Sequence, residues 1–163
     1  MAKEYVNHPA HYNQHPAGIE CIDIIRHYTC DIANAIKYLW RAGLKPEMGK
    51  QDAEKEIEDL HKALWYITDY MTMCATLGRQ HRYLGCAASV VLLRLTGHGI
   101  DDVVNGYEEN VATAMSGLLR IGIISENTVY AVMEWEFWID KAQKAIIQRI
   151  DDIEEQMNED RKV

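Results

Sequence analysis

The segment "NAIKYLWRAGLKP", residues 34 to 46, carries four polar side chains that could hold an anion: Asn34, Lys37, Tyr38 and Arg41. Their spacing is i, i+3, i+4 and i+7, so an α-helix places all four on one face. Lys37 and Arg41 lie one turn apart and can converge on a phosphate, because arginine supplies a planar fork of donors and lysine a compact charge. The spacing alone is compatible with an anion-binding face and with a solvated stripe of charge, and it favours the solvated stripe.

The N-terminal loop holds three histidines, His8, His11 and His15, with Tyr12 among them. Three histidines in the pattern H-x2-H-x3-H could bind a metal. Proline-bearing turns spoil helical presentation of these side chains, however, and the loop has no adjoining cysteine or acidic cluster. A loop in which His11 and Tyr12 close over the base of a ligand is more plausible than a metal site, and an ordered surface loop is the interpretation that the sequence favours over both.

The acidic start of the segment "DAEKEIEDLHK" contains Glu56 and Asp59, three residues apart. Paired carboxylates on one helix can hold magnesium, and all-α nucleotide pyrophosphohydrolases use E-x-x-E and E-x-x-D helix motifs in this way. A second E-x-x-E helix is missing from the sequence. Acidic residues early in a helix also favour the positive end of the helix dipole and pair with lysines at i+4. Glu56 and Asp59 are therefore only weak candidates for metal ligands.

Composition limits the class of partner. Aliphatic and aromatic residues make up 48% of the 163 residues and charged residues 26%, which is typical of a folded chain. The net charge of −8 argues against general nucleic-acid binding, because affinity for the phosphate backbone comes from accumulated Lys and Arg. An anion site must therefore be local. Residues 1 to 80 are the better host, with nine basic and eleven acidic groups against eight and fourteen in the remainder.

The sequence also predicts a cytoplasmic location. The longest apolar run, residues 84 to 94, is about half of the roughly 20 residues that a membrane span needs. The polar N-terminus lacks the apolar region of a signal peptide. The four cysteines have no C-x-x-C spacing, so we expect buried, reduced thiols.

These candidate residues must be positioned by helices, because the sequence shows no alternating strand pattern. We predict an all-α bundle of about six helices, two of them long and amphipathic, and no internal repeat. The predicted helices cover about residues 19–28, 31–43, 52–77, 80–95, 101–122 and 125–158. Asp31 is the expected N-cap of the second helix and Gly43 its left-handed terminator. The fourth helix is apolar almost all round, which predicts a central place in the bundle.

Both long helices have apolar stripes at alternating spacings of three and four. In the third helix the stripe consists of Ile57, Leu60, Leu64, Ile67, Met71 and Cys74. In the last it consists of Val132, Trp135, Ile139, Ala142, Ile146, Ile150, Ile153 and Met157. The last helix would be about 50 Å long, which exceeds the size of a globule of this mass. We therefore expect its end, from Ile146 to Met157, to pack against another copy of the chain as a homo-oligomer.

Four segments carry a resemblance to a known family: "NHPAHYN", "GIECIDII", "NAIKYLWRAGLKP" and "EIEDLHKALWYI". Together they resemble a small phage-encoded family, described as a domain of unknown function or as a nucleotide kinase that works without a P-loop. The resemblance covers about residues 7 to 70. We expect a kinase-like helical region at 1–78 and, at 79–163, a helical extension that completes the core and supports oligomerisation.

The resemblance implies a phage-encoded nucleotide-binding protein that acts as a nucleoside monophosphate kinase, with Mg²⁺ accompanying the nucleotide. Its residues match the polar face and extend it to Lys45, which would join Lys37 and Arg41 in neutralising phosphates. Three alternatives remain open: a sponge that sequesters a nucleotide-derived host defence signal, an all-α nucleotide pyrophosphohydrolase, and an interaction protein without a ligand.

Overall fold

The structure is a computed structural model that describes residues 12, 14–44, 51–77, 87–121 and 135–162. Every regular element in these ranges is helical, and there are seven helices among them. They are α1 (Cys21–Ile25), α2 (Cys30–Arg41), α3 (Asp52–Leu77), α4 (Ala87–Thr96), α5 (Ile100–Val104), α6 (Glu109–Leu118) and α7 (Trp135–Asp160). The all-α prediction is confirmed. None of the helices in the described ranges is both long and apolar enough to cross a membrane.

Helix α2 is the element that positions the polar face. Its core side is fully buried and consists of Ile32, Ala35, Ile36, Leu39 and Trp40. The predicted left-handed terminator is confirmed, because Gly43 has a φ of 71° directly after the last turn. The predicted N-cap is wrong: Thr29 precedes the helix without a capping side chain, and Asp31 lies inside the first turn.

Helix α3 runs antiparallel to α2, since Arg41 at the end of α2 meets Asp59 near the start of α3, while Tyr38 meets Tyr66. Its bounds agree with the predicted range of 52–77. The predicted apolar stripe is only partly right. Leu60 and Ile67 are buried, but the buried surface of α3 also includes Lys55, Asp59, Ala63 and Tyr70.

One predicted helix, over 101–122, is two helices in the structure. Helices α5 and α6 are separated by a turn at Asn105-Gly106, a dipeptide that favours turns and that the prediction overlooked. Glu108 then caps α6, because its carboxylate accepts the backbone N–H groups of Asn110 and Val111 at 3.0 and 3.1 Å. Asp101 and Asp102 lie within the first turn of α5, and Gly99 is the N-cap.

Helix α4 does not lie at the centre of the bundle, which corrects its predicted position. Leu92 is fully buried, but Val90, Leu93 and Leu95 are 46–50% exposed. The first helix is also shorter than predicted, at Cys21–Ile25. One of the thiols expected to be buried, Cys30, is exposed, whereas Cys21 is buried.

Helix α7 confirms most of its predicted inward stripe, since Ile139, Ala142, Ile146, Ile150 and Ile153 are all buried. They are buried within a single chain, where α7 packs against α6 and α3. The apolar surface expected to face another copy is therefore already covered at three of its positions. Homo-oligomerisation stays a prediction, and the burial of these three positions leaves less apolar surface to support it.

The two predicted regions share one hydrophobic core. Its buried members include Ile36 and Leu60 from the first region and Met115, Leu118 and Ile146 from the second. The chain thus brings α6 and α7 against α2 and α3. The division at residue 78 itself stays a prediction and lies outside the described residues.

Candidate functional site

Three cations from two helices surround one tyrosine ring. Relative to the centroid of Tyr38, the Cζ atom of Arg41 lies at 4.5 Å and the Nζ atoms of Lys37 and Lys62 at 5.0 and 5.6 Å. The ring of Tyr66 stacks on Tyr38 with the centroids 5.8 Å apart. Cations at such distances are attracted by the quadrupole of the ring. We call Lys37, Tyr38, Arg41, Lys62 and Tyr66 the cation–tyrosine cluster.

A solvent-exposed tryptophan, Trp65, contacts one member of the cluster. The indole of Trp65 meets the ring of Tyr66 edge-on, with centroids 4.9 Å apart and an interplanar angle of 88°. Trp65 is 60% exposed, whereas Trp40 in the core is 1% exposed. An aromatic ring open to solvent therefore adjoins the positive charge of the cluster.

Arg41 is not a free ligand of this surface, because Asp59 takes its guanidinium. Nε donates to Oδ2 at 3.0 Å and Nη2 donates to Oδ1 at 2.8 Å, which is the bidentate arrangement of a strong pair. Its remaining nitrogen, Nη1, donates to the Tyr12 hydroxyl at 3.3 Å. Only 8% of Arg41 is exposed. The guanidinium thus joins α2, α3 and the N-terminal segment.

A second buried cation shares the same carboxylate. The Nζ atom of Lys55 donates to Asp59 Oδ1 at 2.9 Å and lies 3.2 Å from Glu58 Oε1. Lys55 is 3% exposed and Asp59 is fully buried. Burial would lower the pKa of Lys55, but the hydrogen bond and charge of Asp59 outweigh it, so that pKa is raised. The pKa of Arg41 is raised by the same balance. Both groups therefore keep their charge although water is largely excluded.

Lys37 is the cation whose partner is weakest. Its Nζ donates to the amide oxygen of Asn34 at 2.6 Å, while the Asn34 amide nitrogen donates to the Cys30 carbonyl at 2.9 Å. Within the described part of the chain, Lys37 has no carboxylate partner. Lys62 forms an i,i+4 pair with Glu58, and 39% of its side chain is exposed. Lys37 and Lys62 are therefore the two cations that can exchange their present contacts for an incoming anion.

The charges around Asp59 do not cancel. Among six described side chains there are four cations, Lys37, Arg41, Lys55 and Lys62, and two carboxylates, Glu58 and Asp59. The local sum is +2, in a chain whose net charge is −8. This surface therefore has locally favourable electrostatics for an anion, although the chain as a whole is acidic.

The remaining predicted site residues have different outcomes. Tyr12 lies against Arg41, and its position relative to a ligand base stays a prediction. His11 and Lys45 lie outside the described residues, as does His8. Among the described residues, no group of three or more His, Cys, Asp and Glu side chains could hold a metal ion.

His15, which belonged to the histidine pattern, is a core residue. Its Nε2 contacts the Val103 carbonyl at 2.9 Å, and its Nδ1 accepts the Ala17 backbone N–H at 3.1 Å. That pair of contacts requires the tautomer with a proton on Nε2. The ring packs against Trp40 and Tyr107 with centroids at 5.3 and 5.9 Å. Its role is to fasten the N-terminal segment to α5.

The two acids considered as metal ligands bind cations on different helices. Glu56 Oε1 accepts Arg149 Nε of α7 at 2.8 Å, while Asp59 binds Arg41 of α2 and Lys55. The same arginine lies 3.7 Å from the carboxylate of Glu108. Each acid thus already has a structural partner of opposite charge.

Sequence reasoning missed the contribution of α3 to this surface. Lys55, Asp59, Lys62 and Tyr66 are spaced four, three and four residues apart, which is the same one-face pattern found on α2. Recognising a second polar stripe would have suggested that the two stripes face each other. Trp65 gave no such signal, since a single tryptophan in an apolar segment is usually a core residue.

Comparison with known proteins gives one result. The model of a family described as a protein of unknown function, DUF3310, matches residues 6–68. The match contains every residue of the cation–tyrosine cluster together with Asp59 and Trp65, but it spans less than half of the 163-residue chain. No curated protein and no solved structure matches the chain. The predicted resemblance is therefore confirmed as similarity to a family of unknown function, and its kinase activity stays a prediction.

Proposed function

We propose that this chain binds a nucleotide or nucleotide-derived phosphate compound on the cation–tyrosine cluster. The observation that supports the proposal is the convergence of Lys37, Arg41 and Lys62 on the Tyr38 ring, with a positive local charge in an acidic chain. A phosphate group matches that charge, and the neighbouring aromatic rings match the remainder of a nucleotide.

In this proposal the lysines contact the phosphate and Arg41 positions them. Lys37 and Lys62 come from different helices and are not fully buried, so a phosphate can bridge them. Arg41 is held by both oxygens of Asp59 and therefore fixes the spacing of α2 and α3 beneath Tyr38. Asn34 orients Lys37, and Tyr12 adds a hydroxyl at the edge of the cluster. Lys45 and His11 are proposed to complete the phosphate and base contacts.

Kinase activity toward nucleoside monophosphates is the first activity that we propose to test. Phosphoryl transfer depends mostly on positioning and on stabilising charge, and a cluster of lysines around a phosphate meets both needs. Mg²⁺ would arrive with the nucleotide.

Sequestration of a nucleotide-derived signal is the second candidate, and one observation favours it. Glu56 and Asp59, the acids proposed for metal-dependent chemistry, are each held by an arginine. A chain with a phosphate-binding surface and fully engaged acids would bind its ligand without turning it over. The same engagement weakens the pyrophosphohydrolase proposal, which required those two carboxylates.

We further propose a setting for this activity. The chain would be phage-encoded, act in the host cytoplasm and assemble as a homo-oligomer. These proposals derive from the resemblance and from the sequence pattern.

Calorimetric titration tests the binding proposal. The ligands are the four deoxynucleoside monophosphates, their diphosphates, cyclic diguanylate and inorganic phosphate, and the variants are Lys37→Ala and Lys62→Ala. We expect each variant to weaken nucleotide binding about tenfold to a hundredfold, since a hydrogen bond to a charged group contributes about 1.5–3 kcal/mol. Binding should also weaken as ionic strength rises.

Lys144→Ala is the matched control, because Lys144 forms an i,i+4 pair with Asp140 as Lys62 does with Glu58, but on α7. It should bind like the wild-type chain. Ion-exchange chromatography of the incubated nucleotide, with and without ATP and Mg²⁺, separates the activities: a diphosphate product supports the kinase, and unchanged ligand supports sequestration. Equal behaviour of the wild-type chain and both lysine variants toward every ligand would refute the proposed site.

A further inference from the structure

We propose that the exposed indole of Trp65 is the platform on which the base of the bound nucleotide stacks, an inference that rests on the proposed function. It follows from the contact of this exposed ring with Tyr66, a member of the cluster. Trp65 meets Tyr66 at 4.9 Å, and Tyr66 stacks on Tyr38, around which the cations gather. The exposed indole therefore adjoins a group of rings that carries the cations.

The helical register places the indole beside a phosphate-binding lysine. Lys62 and Trp65 are separated by three residues of α3, so their side chains are neighbours on the surface of that helix. A ligand whose phosphate lies on Lys62 has the indole as its next contact along α3. Lys37 on α2, whose Nζ lies 5.0 Å from the Tyr38 ring centroid, would hold the phosphate from the other helix.

The exposure of Trp65 shows that the core does not require this side chain. With 60% of its surface in contact with water, the indole contributes little to the buried core, in which Trp40 is the tryptophan that packs. The indole meets Tyr66 edge-on, with an interplanar angle of 88°. An exposed aromatic ring next to positive charge has the chemistry that recognises a nucleobase attached to a phosphate.

This arrangement defines the class of ligand. Compounds with a base should bind more tightly than sugar phosphates or inorganic phosphate, because only they can use the indole. Stacking on an aromatic side chain is available to every base, because every base has a π-face. We therefore expect a gain of about tenfold from the base, with weak discrimination among the four bases.

The test compares ligands with and without a base. Wild-type, Trp65→Ala and Trp65→Phe chains are titrated by calorimetry with the four deoxynucleoside monophosphates, cyclic diguanylate and deoxyribose 5-phosphate. Trp65→Ala should bind each nucleotide about tenfold more weakly and deoxyribose 5-phosphate unchanged. Trp65→Phe should recover part of the nucleotide affinity, because it retains a smaller π-face.

Phe137→Ala is the matched control. Phe137 is 58% exposed and meets Trp138 edge-on at 5.0 Å, so it repeats the surroundings of Trp65 on α7. It should leave every affinity unchanged. Circular dichroism and sedimentation velocity of each variant verify the fold and the assembly state.

The outcomes separate this inference from the proposed function. If Trp65→Ala binds nucleotides like the wild-type chain while Lys37→Ala weakens them, the base platform is refuted and the phosphate site stands. If the wild-type chain binds none of these ligands, both proposals fail. If Trp65→Ala changes the sedimentation coefficient but no affinity, the indole packs against a second copy of the chain and the inference is overturned.

Discussion

Substitution of Asp59 by asparagine should be among the most destabilising single changes in this surface. Asp59 is fully buried and accepts three hydrogen bonds, from Arg41 Nε and Nη2 at 3.0 and 2.8 Å and from Lys55 Nζ at 2.9 Å. Asparagine keeps the shape but removes the charge, which leaves two largely buried cations without their shared counter-ion. Breaking a buried pair in this way costs about 3–5 kcal/mol.

Urea unfolding followed by circular dichroism measures this loss. The dependence of the unfolding free energy on urea concentration should be the same in the variant and the wild-type chain, so that a shifted midpoint reports a change in stability. Asp140→Asn is the matched control, because Asp140 pairs with Lys144 at 2.8 Å with the same i,i+4 spacing, but with side chains that are 59% and 74% exposed. An exposed pair contributes about 0–1 kcal/mol. The reasoning is refuted if the two aspartate variants lose equal stability.

Arg41→Lys probes the geometry of the pair separately from its charge. Lysine restores a positive charge but cannot donate to both oxygens of Asp59 as the planar guanidinium does. We expect a loss of about 1.5–3 kcal/mol, the contribution of one hydrogen bond to a charged group, and hence less than for Asp59→Asn. A loss as large as that of Asp59→Asn would show that stability depends on the geometry of the guanidinium as strongly as on the charge of Asp59.

Two further predictions concern packing and pH. Gly117→Ala should destabilise the chain by about 1–3 kcal/mol in urea unfolding, because the new Cβ would lie 2.8 Å from the Trp138 carbonyl oxygen. This loss is expected although alanine normally favours a helix over glycine. Unchanged or increased stability would contradict the close approach of α6 and α7. Burial and the Asp69 carboxylate raise the pKa of Asp31. The folded chain therefore binds the proton on Asp31 more tightly than the unfolded chain does. The stability that this proton contributes is lost as pH rises through the folded-state pKa of Asp31. NMR titration should place that pKa above the ordinary aspartate value, and Asp69→Asn should lower it; an unchanged value would contradict the proximity of the two carboxylates.

The parts of this fold that sequence reasoning recovered are those that local patterns determine. The bounds of α3 follow from a long apolar periodicity, and the end of α2 follows from a glycine that adopts a left-handed conformation. The buried positions Ile139, Ile146 and Ile153 on α7 follow from the three-four spacing of that helix. Each of these features can be read within a single segment.

The arrangement of the candidate site could not be obtained in the same way, because its contacts join separate helices. Arg41 and Asp59 are 18 residues apart and meet only after α2 and α3 pack. A polar stripe on one helix is compatible with solvent, with a ligand or with a second polar stripe. Arg41 faces a second polar stripe, because it donates to both oxygens of Asp59. We therefore propose that the lysines, and not Arg41, contact the phosphate directly.

Asp59 explains how an acidic chain can carry a cationic surface without losing stability. Arg41 and Lys55 would repel each other if both were buried without a shared carboxylate, and the same carboxylate holds α2 against α3. The positive charge that remains belongs to Lys37 on α2 and Lys62 on α3, whose Nζ atoms lie 5.0 and 5.6 Å from the centroid of the Tyr38 ring. The roles of these cations can therefore be separated: loss of Arg41 should reduce stability and affinity together, whereas loss of Lys37 should reduce affinity alone. A Lys37→Ala chain that unfolds as readily as an Arg41→Ala chain would show that both cations are structural, and the phosphate site would have to be sought elsewhere.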